Sequence, residues 1–97
     1  MSTITKHRRA ASLTLGAEIR RQRRARRMTQ TELGRPLTRG FVSAIEHGRC
    51  LPSLAALAHF ADRLNVSPAD LLDPVKHELA ALYTGRHGSV GDPVSGP

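Results

Sequence analysis

The sequence is poor in cysteine and in aromatic residues. Its 97 residues include one cysteine, no tryptophan, one tyrosine and two phenylalanines. A single cysteine excludes an internal disulfide and a cysteine-rich metal site, and it fits a reducing interior. No apolar run approaches the ~20 residues of a membrane span, and residues 1–12 lack the apolar middle of a secretory signal. We therefore expect a soluble intracellular protein that does not contact a membrane.

Patterns typical of catalytic or metal sites are also missing from the sequence. The five histidines are scattered, and no two of them are spaced four residues apart, as ligands on one helix face would be. No β-strand is predicted, and no glycine-rich loop follows one. The sequence therefore predicts no enzymatic activity, no cofactor and no metal.

Positive charge is abundant and unevenly placed. The chain carries a formal net charge of +7. Residues 1–49 hold twelve Lys and Arg against three Asp and Glu, a net of +9, whereas residues 50–97 hold three against five, a net of −2. This asymmetry indicates an anionic partner for the first half, and it favours nucleic acid over a membrane surface or an acidic protein. Thirteen of the fifteen basic residues are arginine, so an arginine-rich proteome also contributes to the pattern.

The hydrophobic pattern predicts an all-α domain with disordered ends. A core of Leu, Ile, Val and Ala suits packed helices. Residues 1–12 are polar, basic and without a period, which predicts a flexible basic arm. Residues 85–97 are rich in Gly, Pro and Ser, which predicts a disordered tail. Between these ends we expect a compact five-helix domain over 13–73, with its first helix over about 15–26, and an additional amphipathic helix over 74–84.

Capping residues mark the boundaries of the second and third helices. Thr29 is an N-cap candidate for a short second helix, and Glu32 three residues later completes a capping box. Gly34 allows a left-handed exit from that helix. Thr38 can cap the third helix, and Gly48 is a natural residue for its end.

The third helix, over 38–47, is apolar on one side only. At 100° per residue, Val42 and Ile45 share one face, with Phe41 on its border. The other side carries small or polar residues, namely Arg39, Gly40, Ser43, Ala44 and His47. These residue types suit contact with a partner better than burial.

Five short helices, with a tight turn between the second and third, follow the helix-turn-helix plan. From Leu15 to Asp73 the sequence resembles the lambda-repressor/Cro-type family, also called Xre-like. The segments that carry the resemblance are "TQTEL", "TRGFVSAIEHGR" and "PSLAALAHFADRLNVSPADLLD". Family members usually have two more residues between the first two of these segments, where "GRP" stands here. This departure implies a truncated second helix or a reshaped turn.

The resemblance implies sequence-specific binding of double-stranded DNA, with helix 38–47 in the major groove. It implies a cytoplasmic, nucleoid-associated transcriptional regulator, usually a repressor, that acts as a homodimer on a two-fold site. Three roles fit: an autoregulatory or phage-type repressor, a restriction-modification controller, or an antitoxin with a toxin partner. The alternative is a protein–protein interaction module that uses the same fold without DNA.

The resemblance also assigns roles to single residues. Base-reading positions are Arg39, Gly40, Ser43 and Ala44. Phosphate-contacting positions are Thr29, Gln30, Thr38, His47 and Arg49. A structural pair is formed by Arg23 and Glu46. Other interpretations also fit these positions: Gln30 and Arg49 suit ordinary exposed residues, and His47 equally suits capping of helix carbonyls.

An apolar stripe continues beyond the predicted domain. Val75, Leu79, Leu82 and Tyr83 fall at i, i+4, i+7 and i+8 of a helix. Such a stripe needs a partner surface, which is either the chain's own domain or a second subunit.

Overall fold

The computed structural model of the protein describes residues 3–87, with side chains over residues 5–82, and this part of the chain consists of helices joined by turns and loops, without a β-strand. The all-α fold expected from the sequence is confirmed. A 3-10 turn at Asp73–Val75 joins the last two helices. The helices are α1 (Thr3–Ala25), α2 (Gln30–Gly34), α3 (Arg39–Glu46), α4 (Leu54–Leu64), α5 (Pro68–Leu72) and α6 (Lys76–His87). The end of the expected disordered tail, residues 88–97, lies outside the described residues.

Helix α1 begins twelve residues earlier than the sequence pattern indicated. Residues 3–12, which we expected to form a flexible arm, belong to one helix of 23 residues that is about 35 Å long. The cause is packing against the other end of the chain. Ala11 is fully buried, and the Thr14 hydroxyl donates to Glu78 Oε1 of α6 at 3.1 Å. Tertiary contact thus supplies the stability that local sequence does not.

The hydrophobic core is formed mainly by α1, α3 and α4. It brings together aliphatic side chains from all of the helices around one aromatic ring, that of Phe60. Phe41 stacks on this ring with a centroid distance of 6.5 Å, so the border residue of α3 packs on the core. The fully buried side chains include Ile19, Leu33, Val42, Ile45, Phe60, Leu64 and Leu71.

Gly16 allows α1 and α3 to touch backbone to backbone. A β-carbon at this position would lie 2.3 Å from the Ile45 carbonyl oxygen and 2.7 Å from that of Glu46. Only glycine fits this approach, because backbone atoms cannot move aside as side chains can. Gly16 therefore sets how closely α3 packs on α1.

The short helix α2 is held at both ends by side chains. At its start, Thr29 and Glu32 form the expected capping box. At its end, His59 Nε2 donates to the Gly34 carbonyl oxygen at 3.1 Å, and the Arg63 guanidinium donates to the Glu32 carbonyl oxygen. These two residues of α4 satisfy carbonyl groups that such a short helix leaves without partners.

Gly34 does not provide the left-handed exit that we expected. Arg35 ends the helix with φ −47° and ψ 129°, and Gly48 is the described glycine with positive φ, at +72°. Gly34 serves close packing instead, because a β-carbon there would lie 2.2 Å from Cγ2 of Val42. A turn then closes through the Leu37 amide, which donates to the Gly34 carbonyl at 2.7 Å.

The expected helix beyond α5 is present as α6, and its apolar side packs on the chain's own domain. Val75, which the stripe had placed outside the core, is buried within it, and Leu79 packs against the same cluster. The domain therefore covers these two members of the stripe. The side chain of Tyr83 lies outside those described.

Candidate nucleic-acid interface

The unit formed by α2, the turn and α3 is fixed by hydrogen bonds at both helix starts. Thr29 Oγ1 accepts from the Glu32 amide at 3.0 Å, and the Thr29 amide donates to Glu32 Oε1 at 2.7 Å. The second bond holds the pKa of Glu32 below its usual value. Thr38 Oγ1 accepts from the Phe41 amide at 3.1 Å. Both threonines are exposed, so each combines a capping role with access to solvent.

Helix α3 separates a buried side from an open side. Val42 and Ile45 are buried in the core, whereas Arg39 and Gly40 are exposed. A β-carbon at Gly40 would have no protein atom within 4 Å. The fold therefore gives no packing reason for glycine at this position.

Arg23 and Glu46, which the resemblance paired, form a bidentate salt bridge between α1 and α3. Arg23 Nε donates to Glu46 Oε2 at 2.6 Å, and Nη2 donates to Oε1 at 3.0 Å. The Glu46 side chain is completely buried and that of Arg23 is 11% exposed. A third guanidinium hydrogen bond reaches the Met28 carbonyl at 2.8 Å. The pair thus ties α3 to the end of α1.

Gln30 joins this network from the first turn of α2. Its Nε2 donates to Glu46 Oε1 at 3.0 Å, and the residue is half-buried. An amide nitrogen carries two hydrogens, so one remains for another acceptor. Gln30 is therefore an oriented side chain and not a freely rotating surface residue.

Ser43 and His47 interact with each other along the open side of α3. His47 Nδ1 lies 2.8 Å from the Ser43 carbonyl oxygen and 3.3 Å from Ser43 Oγ. Because a carbonyl oxygen only accepts, Nδ1 carries a proton and donates to it. His47 thus caps a helix carbonyl and leaves Nε2 for another partner. Ala44 beside them is half-buried.

Arg39 and Arg49 lie at opposite ends of α3 and are both exposed. Neither guanidinium group has a hydrogen-bond or salt-bridge partner within residues 3–87. Arg39 is the first residue of α3, and Arg49 follows the left-handed Gly48 that ends the helix. Two charged groups therefore remain available at the two ends of the open side.

The sequence pattern did not identify Gly16, His59 and Arg63 as supports of this surface. All three act through contacts across the fold: Gly16 with the backbone of α3, and the other two with carbonyl groups of α2. In the sequence, the partner of His59 lies 25 residues away and that of Arg63 lies 31 residues away. No local signal in the sequence predicts contacts at such separations.

The described part of the chain contains neither a candidate metal site nor a membrane-spanning helix. Residues 3–87 contain no group of three or more His, Cys, Asp or Glu that is placed to hold a metal ion. Among the same residues, no helix is long and apolar enough to cross a membrane.

A short capped helix, a tight turn and a second helix with one open side define a helix-turn-helix domain, a class of DNA-binding domain. Comparison with known families agrees with this geometry. The chain belongs to the family described as the helix-turn-helix domain, which residues 14–74 match. No match was found among curated proteins or among solved structures.

Proposed function

We propose that this protein reads specific sequences of double-stranded DNA with α3 in the major groove, and that it regulates transcription. The observation that carries the proposal is the open side of α3. Arg39 is exposed without a described partner, and Gly40 faces open space where the fold places no limit on side-chain size. A slim helix with one long cationic side chain in its first turn suits a groove about 12 Å wide.

Arg39 is the proposed base-reading residue. The N-terminal turn of such a helix comes nearest the base edges. A guanidinium group donates two parallel hydrogen bonds to N7 and O6 of guanine, a geometry that lysine does not reproduce. Ser43 adds weaker discrimination, because a hydroxyl group can both donate and accept a hydrogen bond. Gly40 and Ala44 bring the helix backbone close to the bases.

The proposed phosphate contacts surround α3. Gln30 is held by Glu46 with one amide hydrogen left to donate. Thr29 and Thr38 stand at helix N-termini, where backbone amides attract anions. Arg49 and His47 Nε2 lie at the other end of α3. Such contacts fix the position of the protein on the duplex and carry no sequence information themselves.

We further propose that the protein binds a two-fold symmetric DNA site as a homodimer, and that it acts as a repressor. The supporting observation is an apolar groove of about 210 Å³, lined by Leu51, Pro52, Leu72 and Leu79 and by Leu54, which is 83% exposed. Residues 50–58 carry no charge in a chain of net charge +7. Two copies can therefore meet at this surface without opposing like charges. Autoregulatory, controller and antitoxin roles all fit such a dimer.

A selection of bound sequences from random DNA tests this function. We expect one enriched motif with two-fold symmetry and half-sites about 34 Å apart, or a multiple of that distance. We also expect affinity for DNA to fall steeply as salt rises. A chain that enriches no motif contradicts the proposal. Partner binding that is insensitive to salt supports the protein-interaction alternative instead.

A further inference from the structure

The part of α1 that precedes the matched helix-turn-helix domain carries a separate cluster of basic residues. The family match begins at residue 14, whereas α1 begins at Thr3. Arg8 and Arg9 lie in this extension and are exposed. The proposed DNA contacts on α2 and α3 do not involve either residue.

The extension is held rigidly against the end of α3. A β-carbon at Gly48 would lie 2.7 Å from Cδ2 and 2.8 Å from Cα of Leu13, so the two segments touch directly. Ala11 is fully buried and Ser12 is 5% exposed. Arg8 and Arg9 lie about one turn before these anchored residues. Their backbone positions relative to α3 are therefore fixed.

This contact creates a cleft with three arginine side chains around it. The cleft has a volume of about 230 Å³, several times the roughly 30 Å³ share of one water molecule. Its walls carry no carboxylate. On one side it is lined by Thr5, Arg8, Arg9 and Ser12, and on the other by Arg49 and Cys50.

The three guanidinium groups have no anionic partner among the described residues. The Ser12 hydroxyl donates to the Arg8 carbonyl oxygen at 3.0 Å, but no group within residues 3–87 forms a hydrogen bond or a salt bridge with the guanidinium of Arg8, Arg9 or Arg49. The carboxylates of the neighbouring helices are already engaged: Glu46 binds Arg23, and Glu78 accepts from Thr14. Like charges around one cleft repel each other, and an anion between them removes that repulsion.

We infer that this cleft binds a phosphate of the DNA backbone that flanks the site read by α3. The inference rests on the proposed function, because Arg49 directly follows the helix placed in the major groove. Guanidinium groups match phosphate oxygens with paired, charge-assisted hydrogen bonds. The α1 extension thereby lengthens the footprint of the domain on DNA without adding base contacts.

Full-length variants with equal loss of charge test the inference. Arg8→Gln combined with Arg9→Gln removes the cleft pair. Lys6→Gln combined with Lys76→Gln removes two exposed charges that do not line the cleft. All four residues are exposed, so both variants should fold, and circular dichroism checks this.

The readout is affinity for the selected operator over a range of salt concentrations. Each phosphate contact contributes about −0.9 to the slope of log K against log salt. We expect the slope of the cleft variant to become shallower by about 1, with at least a tenfold loss of affinity, and that of the lysine variant to change by less than about 0.5. Equal slopes for the two variants would mean diffuse attraction, and they would overturn the inference.

Neutral methylphosphonates placed one at a time along the operator locate the contact. We expect at least one flanking position where neutralising the phosphate lowers the DNA affinity of the wild-type chain at least tenfold but leaves the DNA affinity of the cleft variant unchanged. If every position weakens both proteins equally, the cleft contacts no particular phosphate and the inference fails.

Cys50 provides an independent test, because it is the single cysteine of the chain and is exposed in the cleft. A thiol reagent should modify it more slowly when operator DNA is bound. An unchanged rate in the DNA complex would show an open cleft and refute the inference. A wild-type chain that binds no DNA would overturn the proposed function itself. If Arg39 reads a base but bound DNA does not slow the modification of Cys50, the proposed function stands and only the inference about the cleft fails.

Discussion

Two glycine-to-alanine substitutions should change the stability of this protein in opposite directions. Gly40 is the second residue of α3, is exposed and faces open space. Alanine there lowers the backbone entropy of the unfolded chain and meets no atom of the fold. We expect Gly40→Ala to raise the free energy of unfolding by about 0.5 kcal/mol, near the lower end of the usual range because the residue lies in the first turn. The melting temperature should rise by about 2–4 °C.

The same added methyl group should weaken DNA binding. If the groove lies directly over Gly40, the methyl group must displace either the helix or the DNA. Overfilling a tightly packed contact costs about 1–3 kcal/mol, which corresponds to a 5- to 150-fold loss of affinity. Thermal unfolding followed by circular dichroism gives the first quantity, and titration of labelled operator gives the second. A stabilised variant with unchanged affinity would refute the close approach of DNA to Gly40.

Gly16→Ala is the matched control. Its methyl group would lie 2.3 Å from a backbone oxygen of α3, where no side chain can yield. We expect the free energy of unfolding to fall by about 1–3 kcal/mol in spite of the better helix propensity of alanine. A stabilised Gly16→Ala variant would mean that α1 and α3 do not pack as described.

Three further predictions concern single residues. Glu46→Ala leaves the buried guanidinium of Arg23 without its carboxylate, so the free energy of unfolding measured by urea titration should fall by about 3–5 kcal/mol. Joint replacement of the pair by Met and Leu should lower it much less. A fall of less than about 1 kcal/mol for Glu46→Ala would contradict the pairing. Leu54→Ser should shift sedimentation towards the monomer with little change in melting temperature, because this side chain is 83% exposed, and an unchanged dimer would remove this surface from the interface. The lowered pKa of Glu32 means that the folded state binds fewer protons than the unfolded state, so its contribution to stability is complete above the ordinary value of 4.5 and is lost as pH falls through the lower folded value. Glu32→Gln keeps the capping box but does not titrate, and an acid profile identical to that of the wild type would contradict this contribution.

Local chemistry made most helix starts predictable from the sequence. Thr29, Thr38, Ser53 and Ser67 each accept a hydrogen bond from the third backbone amide of the helix that follows. Such caps depend on residues within one turn, so their signal is contained in a short segment. The shortness of α2 was predictable for the same reason.

The start of α1 was not predictable, because distant contacts determine it, whereas its end at Ala25 lies within one residue of the expected end. Its start depends on packing against α6, including a hydrogen bond between residues 64 positions apart. Its end uses Arg27 in the left-handed conformation, with φ 55°, where glycine is the usual residue. The Met28 amide then donates to the Arg23 carbonyl at 3.1 Å and closes the helix.

The candidate site also combines features that the sequence predicts with features that it does not. The open side of α3 follows from helix periodicity alone, and the structure keeps Arg39 and Gly40 exposed on it. The pairing of Arg23 with Glu46 came from the family resemblance, since the residues are 23 positions apart. The cleft beside Arg49 could not be predicted from the sequence, because the residues that line it from α1 lie in a segment whose pattern indicates a flexible arm.

The most direct test of the central claim compares Arg39→Ala with Arg49→Ala on operators that carry each of the four bases at every position. We expect Arg39→Ala to lose about 1–3 kcal/mol on the preferred site and to lose its preference at one guanine in each half-site. Arg49→Ala should weaken all of the sequences about equally and reduce the salt dependence. If Arg39→Ala lowers affinity uniformly and every position keeps its preference, Arg39 contacts only the backbone, and the assignment of α3 as a reader of bases through this residue is wrong.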